Sequence, residues 1–274
     1  MNDLSRPVAI VTGGGTGIGA AAAAALRSDG WDVVICRRRL ANLEDTASQT
    51  GAIPVVADAS TEEGVQKVVE ETVTRFGSIN GLVLNAGIVR PGKVGELDGR
   101  DWDAMIQTNL TGPFLLTKAA MPFLMETSGS VVGVASAAAL RATGGIPGYN
   151  ASKAGLTMLM QSVAIDYGHL GVRANAICPG WTRTEMADME MEEYGAELGL
   201  ERENAYSTAT AFVPGRRPAE AKEVGNVVAW LLSPHASYIN AAVIPVDGGM
   251  VAVDPGSLSL DPRVRIDIRD ARSL

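Results

Sequence analysis

The sequence is poor in the residues that most often announce metal chemistry or an oxidising compartment. Its 274 residues include two cysteines, Cys36 and Cys178, and two histidines, His169 and His235. Two isolated cysteines exclude a disulfide framework or a cysteine-based zinc site. Each falls in an apolar, strand-like run, so both are expected to be buried thiols in a reducing cytoplasm. The histidines stand where helices are expected to end and read as caps rather than ligands; no metal is expected. Long hydrophobic runs are also missing. The longest, at 33–36 and 131–140, are far too short to cross a bilayer, and residues 1–7 are short, polar and unlike a signal peptide. Positive charge is in deficit, and a formal net charge of −8 argues against nucleic acid as a partner.

What the chain has is apolar residues, 46% against 20% charged, enough for a large core. Its length suits one α/β domain or two small ones. Runs at 8–11, 32–36, 55–58, 81–84, 130–135, 172–177 and 243–246 read as strands, and the first is continuously apolar, as in a strand buried on both faces. Between them lie stretches of helical spacing: an alanine-rich one at 20–28, one at 62–76, a long one capped by Asp101 and running to about 125, one at 149–167 and one at 219–232. Strands alternating with helices predict a parallel, doubly wound sheet.

Thr12 to Gly19 reads Thr-Gly-Gly-Gly-Thr-Gly-Ile-Gly between the first strand and the first helix. Glycines there let a phosphate approach the backbone and rest on the helix N-terminus. The spacing Gly13, Gly17, Gly19 departs from G-x-G-x-x-G, and a glycine-rich turn alone is a weak signal. After the second strand, where an acidic residue would bind a ribose 2′-hydroxyl, stand Arg37, Arg38 and Arg39. Guanidinium groups there suit a 2′-phosphate, which favours NADP over NAD; a solvated basic turn is the bland alternative. Asp58, ending the third run, is a suitable partner for an adenine amino group.

Tyr149 and Lys153 are four residues apart, on one face of the predicted helix. An ammonium beside a phenol favours phenolate, so the tyrosine is expected to have its pKa lowered from about 10 toward neutrality and to exchange a proton during catalysis. Alone, such a pair is commonly just surface helix.

Taken in order, Thr12-Gly13-x-x-x-Gly17-Ile18-Gly19, Asn85-Ala86-Gly87, Tyr149-x-x-x-Lys153 and Pro179-Gly180 resemble the motifs of the short-chain dehydrogenase/reductase family. Each motif is modest; together they are highly specific. The resemblance implies one Rossmann-type domain, residues 1–253, built on a seven-stranded parallel sheet flanked by helices. It implies a nicotinamide cofactor and hydride transfer between it and a carbinol carbon. The catalytic residues it implies are Asn109, Ser136, Tyr149 and Lys153. Ser136 would bond the substrate oxygen, Tyr149 would carry the proton, and Lys153 would tune Tyr149 and bond ribose hydroxyls. The backbone carbonyl of Asn109, on a kink, would hold a water leading from Lys153 to solvent. Cofactor contacts are expected at Gly13, Gly15, Thr16, Gly17, Ile18 and Gly19, at Arg37, Arg38, Asp58 and Ala59, and at Asn85, Ala86 and Gly87. They are also expected at Tyr149 and Lys153 and at Pro179, Gly180, Thr182 and Thr184. Ser136, Ala138, Tyr149 and Met186 would meet the substrate.

Residues 181–214, rich in Glu and Met, stand where the family keeps a substrate lid. Met186 with its neighbours would suit a bulky apolar ketone. The helix at 149–167 carries two apolar stripes, and the one of small residues needs a partner other than the sheet. A homodimer or homotetramer is therefore expected, as in the family. Residues 254–274 read as a free tail or as an arm over a neighbouring subunit. An NADP-dependent reductase of a small-molecule ketone, or dehydrogenase of a secondary alcohol, is the leading expectation, in the cytoplasm and with no membrane partner. A 3-oxoacyl-carrier reductase is the runner-up; it needs basic docking surface, for which Arg141, Arg183, Arg216 and Arg217 are available. A dinucleotide sensor without turnover is the alternative from another class, but such proteins usually lose the tyrosine or lysine that this chain keeps.

Overall fold

The seven apolar runs find their partners in a single parallel sheet. In the computed structural model, which describes residues 6–261, the strands are Val8–Thr12 (β1), Asp32–Arg37 (β2), Ile53–Val56 (β3), Gly81–Leu84 (β4), Ser130–Val134 (β5), Arg173–Pro179 (β6) and Val243–Val246 (β7). Their order across the sheet is β3-β2-β1-β4-β5-β6-β7, and every pairing is parallel. The central strands β1, β4 and β5 are buried at every position, which is why they read as unbroken apolar runs. The two outer strands are only partly buried. Pro54, which has no N–H to give, lies on the edge strand β3, where only one side of the strand is paired.

Parallel neighbours require crossovers, and helices supply them. These are Gly17–Ser28 (α1), Ala41–Thr50 (α2), Glu62–Phe76 (α3), Gly99–Ile106 (α4), Gly112–Thr127 (α5), Pro147–Tyr167 (α6), Glu185–Leu198 (α7), Arg202–Ala209 (α8) and Ala221–Leu232 (α9). One apolar cluster lies between the sheet and α3, α5 and α6, with Leu82, Leu84, Leu116 and Leu156 at its centre. A second lies between the opposite face and α1 and α9, around Leu26, Ile35, Val224 and Leu232. The alanine run of α1 serves this second layer. A Cβ on Gly225 of α9 would lie 2.7 Å from the Ala21 backbone, so the two helices approach as closely as small residues allow. No helix among the described residues is long and apolar enough to cross a membrane.

The structure corrects several boundaries. The first helix starts at Gly17, within the glycine turn rather than after it. The third strand ends at Val56, which leaves Asp58 in the following loop. Asp98, not Asp101, caps the helix before the fifth strand, its carboxylate accepting from the Arg100 N–H. That long helix is interrupted by a π-helical turn, Gln107–Thr111. The helix at 41–50, with no strong apolar stripe to announce it, has no counterpart among the sequence expectations. His169 and His235 are exposed in short 3-10 turns after α6 and α9, and no ring hydrogen bond makes either a cap. Of the tail, Pro255–Leu260 forms further 3-10 turns; residues 262–274 lie outside the described residues.

Candidate active site

The glycine turn leaves β1 at the carboxyl end of the sheet. Gly13 (φ +64°) and Gly17 (φ +53°) adopt left-handed backbone that L side chains rarely take. At Gly19 the requirement is space: a Cβ would sit 2.4 Å from the Gly13 carbonyl oxygen and 2.6 Å from the Asn85 amide. Thr16, at the head of α1, makes no side-chain cap, so the first N–H groups of that helix are not closed off by its hydroxyl. Here the backbone forms a cradle that a side chain would fill, and a phosphate is the ligand that such a cradle suits.

Asn85 does not reach outward. Its side-chain nitrogen donates to the carbonyls of Thr12 (3.0 Å) and Gly13 (3.3 Å). The Thr12 hydroxyl in turn accepts from the backbone N–H groups of Asn85 and Ala86, both at 3.0 Å. These bonds weld the turn after β4 to the glycine turn. Thr12 is thus a site residue whose role the motif alone did not reveal. A Cβ on Gly87 would lie 3.2 Å from the Lys153 ammonium and 3.5 Å from the Asn109 amide oxygen, so this turn also backs the catalytic candidates.

Asn109 sits in the π turn and is fully buried. Its amide oxygen accepts from the Ile88 N–H at 2.8 Å. Its nitrogen donates to the Ile88 carbonyl (2.9 Å) and to the Ser152 hydroxyl (3.0 Å). Ser152 donates onward to the Tyr149 carbonyl at 2.9 Å. Sequence reasoning missed Ser152 as a positioning residue, although its place three residues after Tyr149 was visible. Pro113, lacking an N–H, cannot serve the carbonyl four residues back, that of Asn109, and this is a local reason for the ladder to break there.

Ser136 follows β5, and its hydroxyl accepts from the Ala138 N–H at 3.1 Å. Tyr149 and Lys153, both on α6, stand against it. The Lys153 ammonium is 5.7 Å from the centre of the Tyr149 ring, is 3% exposed, and donates to the Val134 carbonyl at 2.8 Å. Burial pushes the Lys153 ammonium down to about 8, against a smaller opposing pull from Cys178. Burial pushes the Tyr149 phenol up to about 12; the Ser136 hydroxyl works against that rise, and the Glu190 carboxylate on α7 adds to it. The expectation of a lowered tyrosine pKa is therefore not met in this arrangement. Lys153 is buried and Tyr149 half-buried, and for each the loss of water disfavours the charged form. Glu190 is itself pushed up, by burial and by Glu193. The sequence offered no signal that singled it out among the acids of α7. Both thiols are buried and protonated, Cys36 pushed up to about 12 and Cys178 to about 11 by burial, so neither serves as a nucleophile.

Around this centre lie the remaining candidates. Asp58 spends one oxygen on Ser60, at 3.0 Å to its N–H and 2.6 Å to its hydroxyl, while Arg38 approaches the other at 3.9 Å. Ala59 lies under α5, where Gly112 permits a contact that a Cβ would close to 2.6 Å. Gly180, after Pro179, donates to the Val246 carbonyl at 3.1 Å. The Thr182 hydroxyl donates to the Gly180 carbonyl at 3.1 Å, and Thr184 caps α7 by accepting from Ala187 at 3.2 Å. The segment over the site consists of α7 and α8 packed through Ala187, Met191, Ala205 and Tyr206. The Tyr206 hydroxyl donates to Asp188 at 2.7 Å. Met186 is half-buried, whereas Met189 is exposed.

A cavity of about 1280 Å³ lies elsewhere, at the amino ends of the strands beside Trp31, Asn80, Arg173, Trp230 and Tyr238. It holds no paired acid and base, and Arg173 there donates to backbone carbonyls. The chemistry-bearing groups are instead gathered at the carboxyl ends of the strands, where open α/β sheets bind their ligands.

Fold and site together define a dinucleotide-dependent oxidoreductase. A family model described as enoyl-(acyl carrier protein) reductase matches residues 13–251. Levodione reductase of Leifsonia aquatica is 36% identical over 257 residues, covering 89% of this chain and 94% of that protein. A 3-oxoacyl-acyl-carrier-protein reductase of Synechocystis is 34% identical over 259 residues, covering 92% and 99%. Among solved structures, that of levodione reductase superposes with a TM-score of 0.86 at 34% identity, covering 90% of this chain and 98% of that one. A variant of the actinorhodin polyketide ketoreductase with NADPH superposes with a TM-score of 0.87 at 31% identity, covering 92% and 100%. The chain belongs to the short-chain dehydrogenase/reductase family, NAD(P)-dependent enzymes acting on CH–OH groups.

Proposed function

We propose that the protein interconverts a small-molecule ketone and its secondary alcohol, with NADP(H) the preferred dinucleotide. The observation that carries this is the row of Ser136, Tyr149 and Lys153 at the carboxyl ends of the central strands, beside the glycine cradle. Ser136 uses its oxygen to accept from Ala138, which leaves its hydroxyl proton to donate to a carbonyl oxygen. Tyr149, protonated across the neutral range, gives that oxygen its proton during reduction. Lys153 stands where an ammonium favours the phenolate left behind. The Asn109 carbonyl, denied its regular helical donor by Pro113, would accept from a water that joins Lys153 to solvent.

When bound, the dinucleotide supplies or accepts the hydride. Gly13, Gly15, Thr16, Gly17, Ile18 and Gly19 would hold its pyrophosphate, Asp58 and Ala59 its adenine, and Arg37 and Arg38 the 2′-phosphate. Lys153 would take ribose hydroxyls with the Tyr149 ring beside it, Asn85, Ala86 and Gly87 would wall the cleft, Pro179 and Gly180 would flank the nicotinamide, and Thr182 or Thr184 would bond its amide or the pyrophosphate. The segment 181–214 would close over the substrate, with Met186 and Ala138 lining it and Glu190 adding a polar group near Tyr149.

The carrier-bound 3-oxoacyl substrate is a second reading, favoured by relatives such as the Synechocystis reductase. Against it, three of the four arginines that such a carrier would need are engaged; Arg141 is exposed, with no acidic partner among the described residues. Arg183 forks onto Glu203 at 2.8 and 2.7 Å, Arg217 onto Glu223 at 2.6 and 2.7 Å, and Arg216 bonds the Ala211 carbonyl. The test is NADPH oxidation followed by absorbance with a panel of free ketones and a 3-oxoacyl thioester. Free ketones are expected to turn over better. Tight NADPH binding with no turnover of any substrate would instead mark a sensor.

The small-residue stripe of α6 supports a homodimer or homotetramer. Ala151, Ala154, Met158 and Ile165 lie uncovered, Met158 and Ile165 at 61% and 77% exposure, beside Phe114 of α5 at 48%. An apolar strip of this kind is best explained by a second copy. Light scattering is expected to return at least a dimer; a monomer at micromolar concentration would overturn the assignment.

A further inference from the structure

Arg37 is not waiting free at the end of β2. One of its terminal nitrogens lies 3.2 Å from a carboxylate oxygen of Glu185, the first residue of α7, and the other lies 3.5 Å from the Thr16 hydroxyl of the glycine turn. The start of α7 is itself seated on that turn: a Cβ on Gly17 would meet the Thr184 methyl at 2.9 Å. Three segments far apart in sequence thus converge on one guanidinium. That guanidinium occupies the position where the β2 end would meet a 2′-phosphate.

We propose that Glu185 is a cofactor-specificity residue acting through Arg37. It rests on the NADP reading above. A 2′-phosphate must take Arg37 from Glu185 before it gains the charge-assisted bonds that would distinguish NADPH from NADH. A dinucleotide without that phosphate leaves the pair intact. The carboxylate therefore penalises NADPH alone, by competing for the guanidinium. The penalty is small because the pair is open to water, Arg37 at 27% and Glu185 at 53% side-chain exposure. Once released, Glu185 keeps a favourable place in the first turn of α7, next to the positive end of the helix.

The experiment is titration of NADPH and NADH by quenching of protein fluorescence, with wild type, Glu185→Gln, Arg37→Ala and the double variant. Glu185→Gln keeps the shape and removes the charge. It is expected to tighten NADPH about two- to five-fold and to leave NADH unchanged. In the Arg37→Ala background the same change should have no effect on the NADPH-to-NADH ratio, because the residue through which Glu185 acts is gone. Equal shifts for both dinucleotides, or weaker NADPH binding, would assign Glu185 to seating α7 and overturn the proposal. If Arg37→Ala weakens NADPH selectively while Glu185→Gln changes nothing, the NADP reading stands and the role of Glu185 falls. If Arg37→Ala leaves the ratio unchanged, both fall together.

Discussion

Replacing Tyr149 by phenylalanine is expected to lower ketone turnover by about 10²- to 10⁴-fold, the usual contribution of a positioned general acid. The substitution removes one oxygen and keeps the ring that packs beside Lys153 at 5.7 Å. The helix holding it is anchored independently, through Ser152, Asn109 and the Ile88 backbone. Dinucleotide affinity should accordingly change by no more than roughly two-fold, which marks a loss of transition-state stabilisation rather than of binding. Retention of a tenth or more of the wild-type rate would refute Tyr149 as the proton donor. A matching loss of cofactor binding would show instead that the site had been deformed.

Replacing Lys153 by methionine is expected to have a different signature, with two parts. Turnover should fall at least as far as in Tyr149→Phe, but here dinucleotide binding should weaken too, since the ammonium is assigned to the ribose hydroxyls as well. The second part concerns stability and its dependence on pH. The ammonium titrates near 8 in the folded chain against 10.5 in its ordinary state. Below pH 8 both the folded and the unfolded chain carry the proton, and the folded chain bears the full cost of a buried charge. Between pH 8 and 10.5 the unfolded chain binds more protons, so stability rises with pH across that window, by about 3 kcal/mol in total. Methionine abolishes this rise. The phenol of Tyr149 works in the opposite sense only above pH 10, its ordinary value, because the folded chain holds that proton to about 12. Above pH 9 the buried thiols of Cys36 and Cys178 also oppose the rise, but they do so in both proteins. The difference between wild type and Lys153→Met in urea unfolding at pH 8, 9 and 10 therefore isolates the lysine. Wild type should gain stability relative to Lys153→Met over this range, and parallel behaviour of the two would show that the ammonium is not held below its ordinary pKa.

The buried ammonium is retained at a cost to the fold. Lys153 has one carbonyl partner, Val134, and no carboxylate. Its environment is arranged by the turn at Gly87 and by Asn109, both of which belong to the candidate site. Stability and chemistry pull in opposite directions at this residue, as is common where a group must be poised to change protonation state.

The parallel sheet was legible in the sequence, because short, largely apolar runs alternate with stretches of helical spacing. The sequence also determined the turn at Gly13 to Gly19, since left-handed backbone and close approach restrict those positions to glycine. The pairing of Tyr149 with Lys153 followed from helical spacing alone. All of these are local consequences of backbone geometry. What lies between distant segments came from packing alone. Packing turned Asn85 inward to join two turns, placed the π turn so that Asn109 grips Ile88 and Ser152, and set Glu185 against Arg37 across 148 residues of sequence. It also reversed the expected sign at Tyr149. Spacing places an ammonium beside a phenol, but whether that ammonium lowers the phenol's pKa depends on how much water remains around both. Burial is a property of the whole packed chain, which the interval from Tyr149 to Lys153 does not contain.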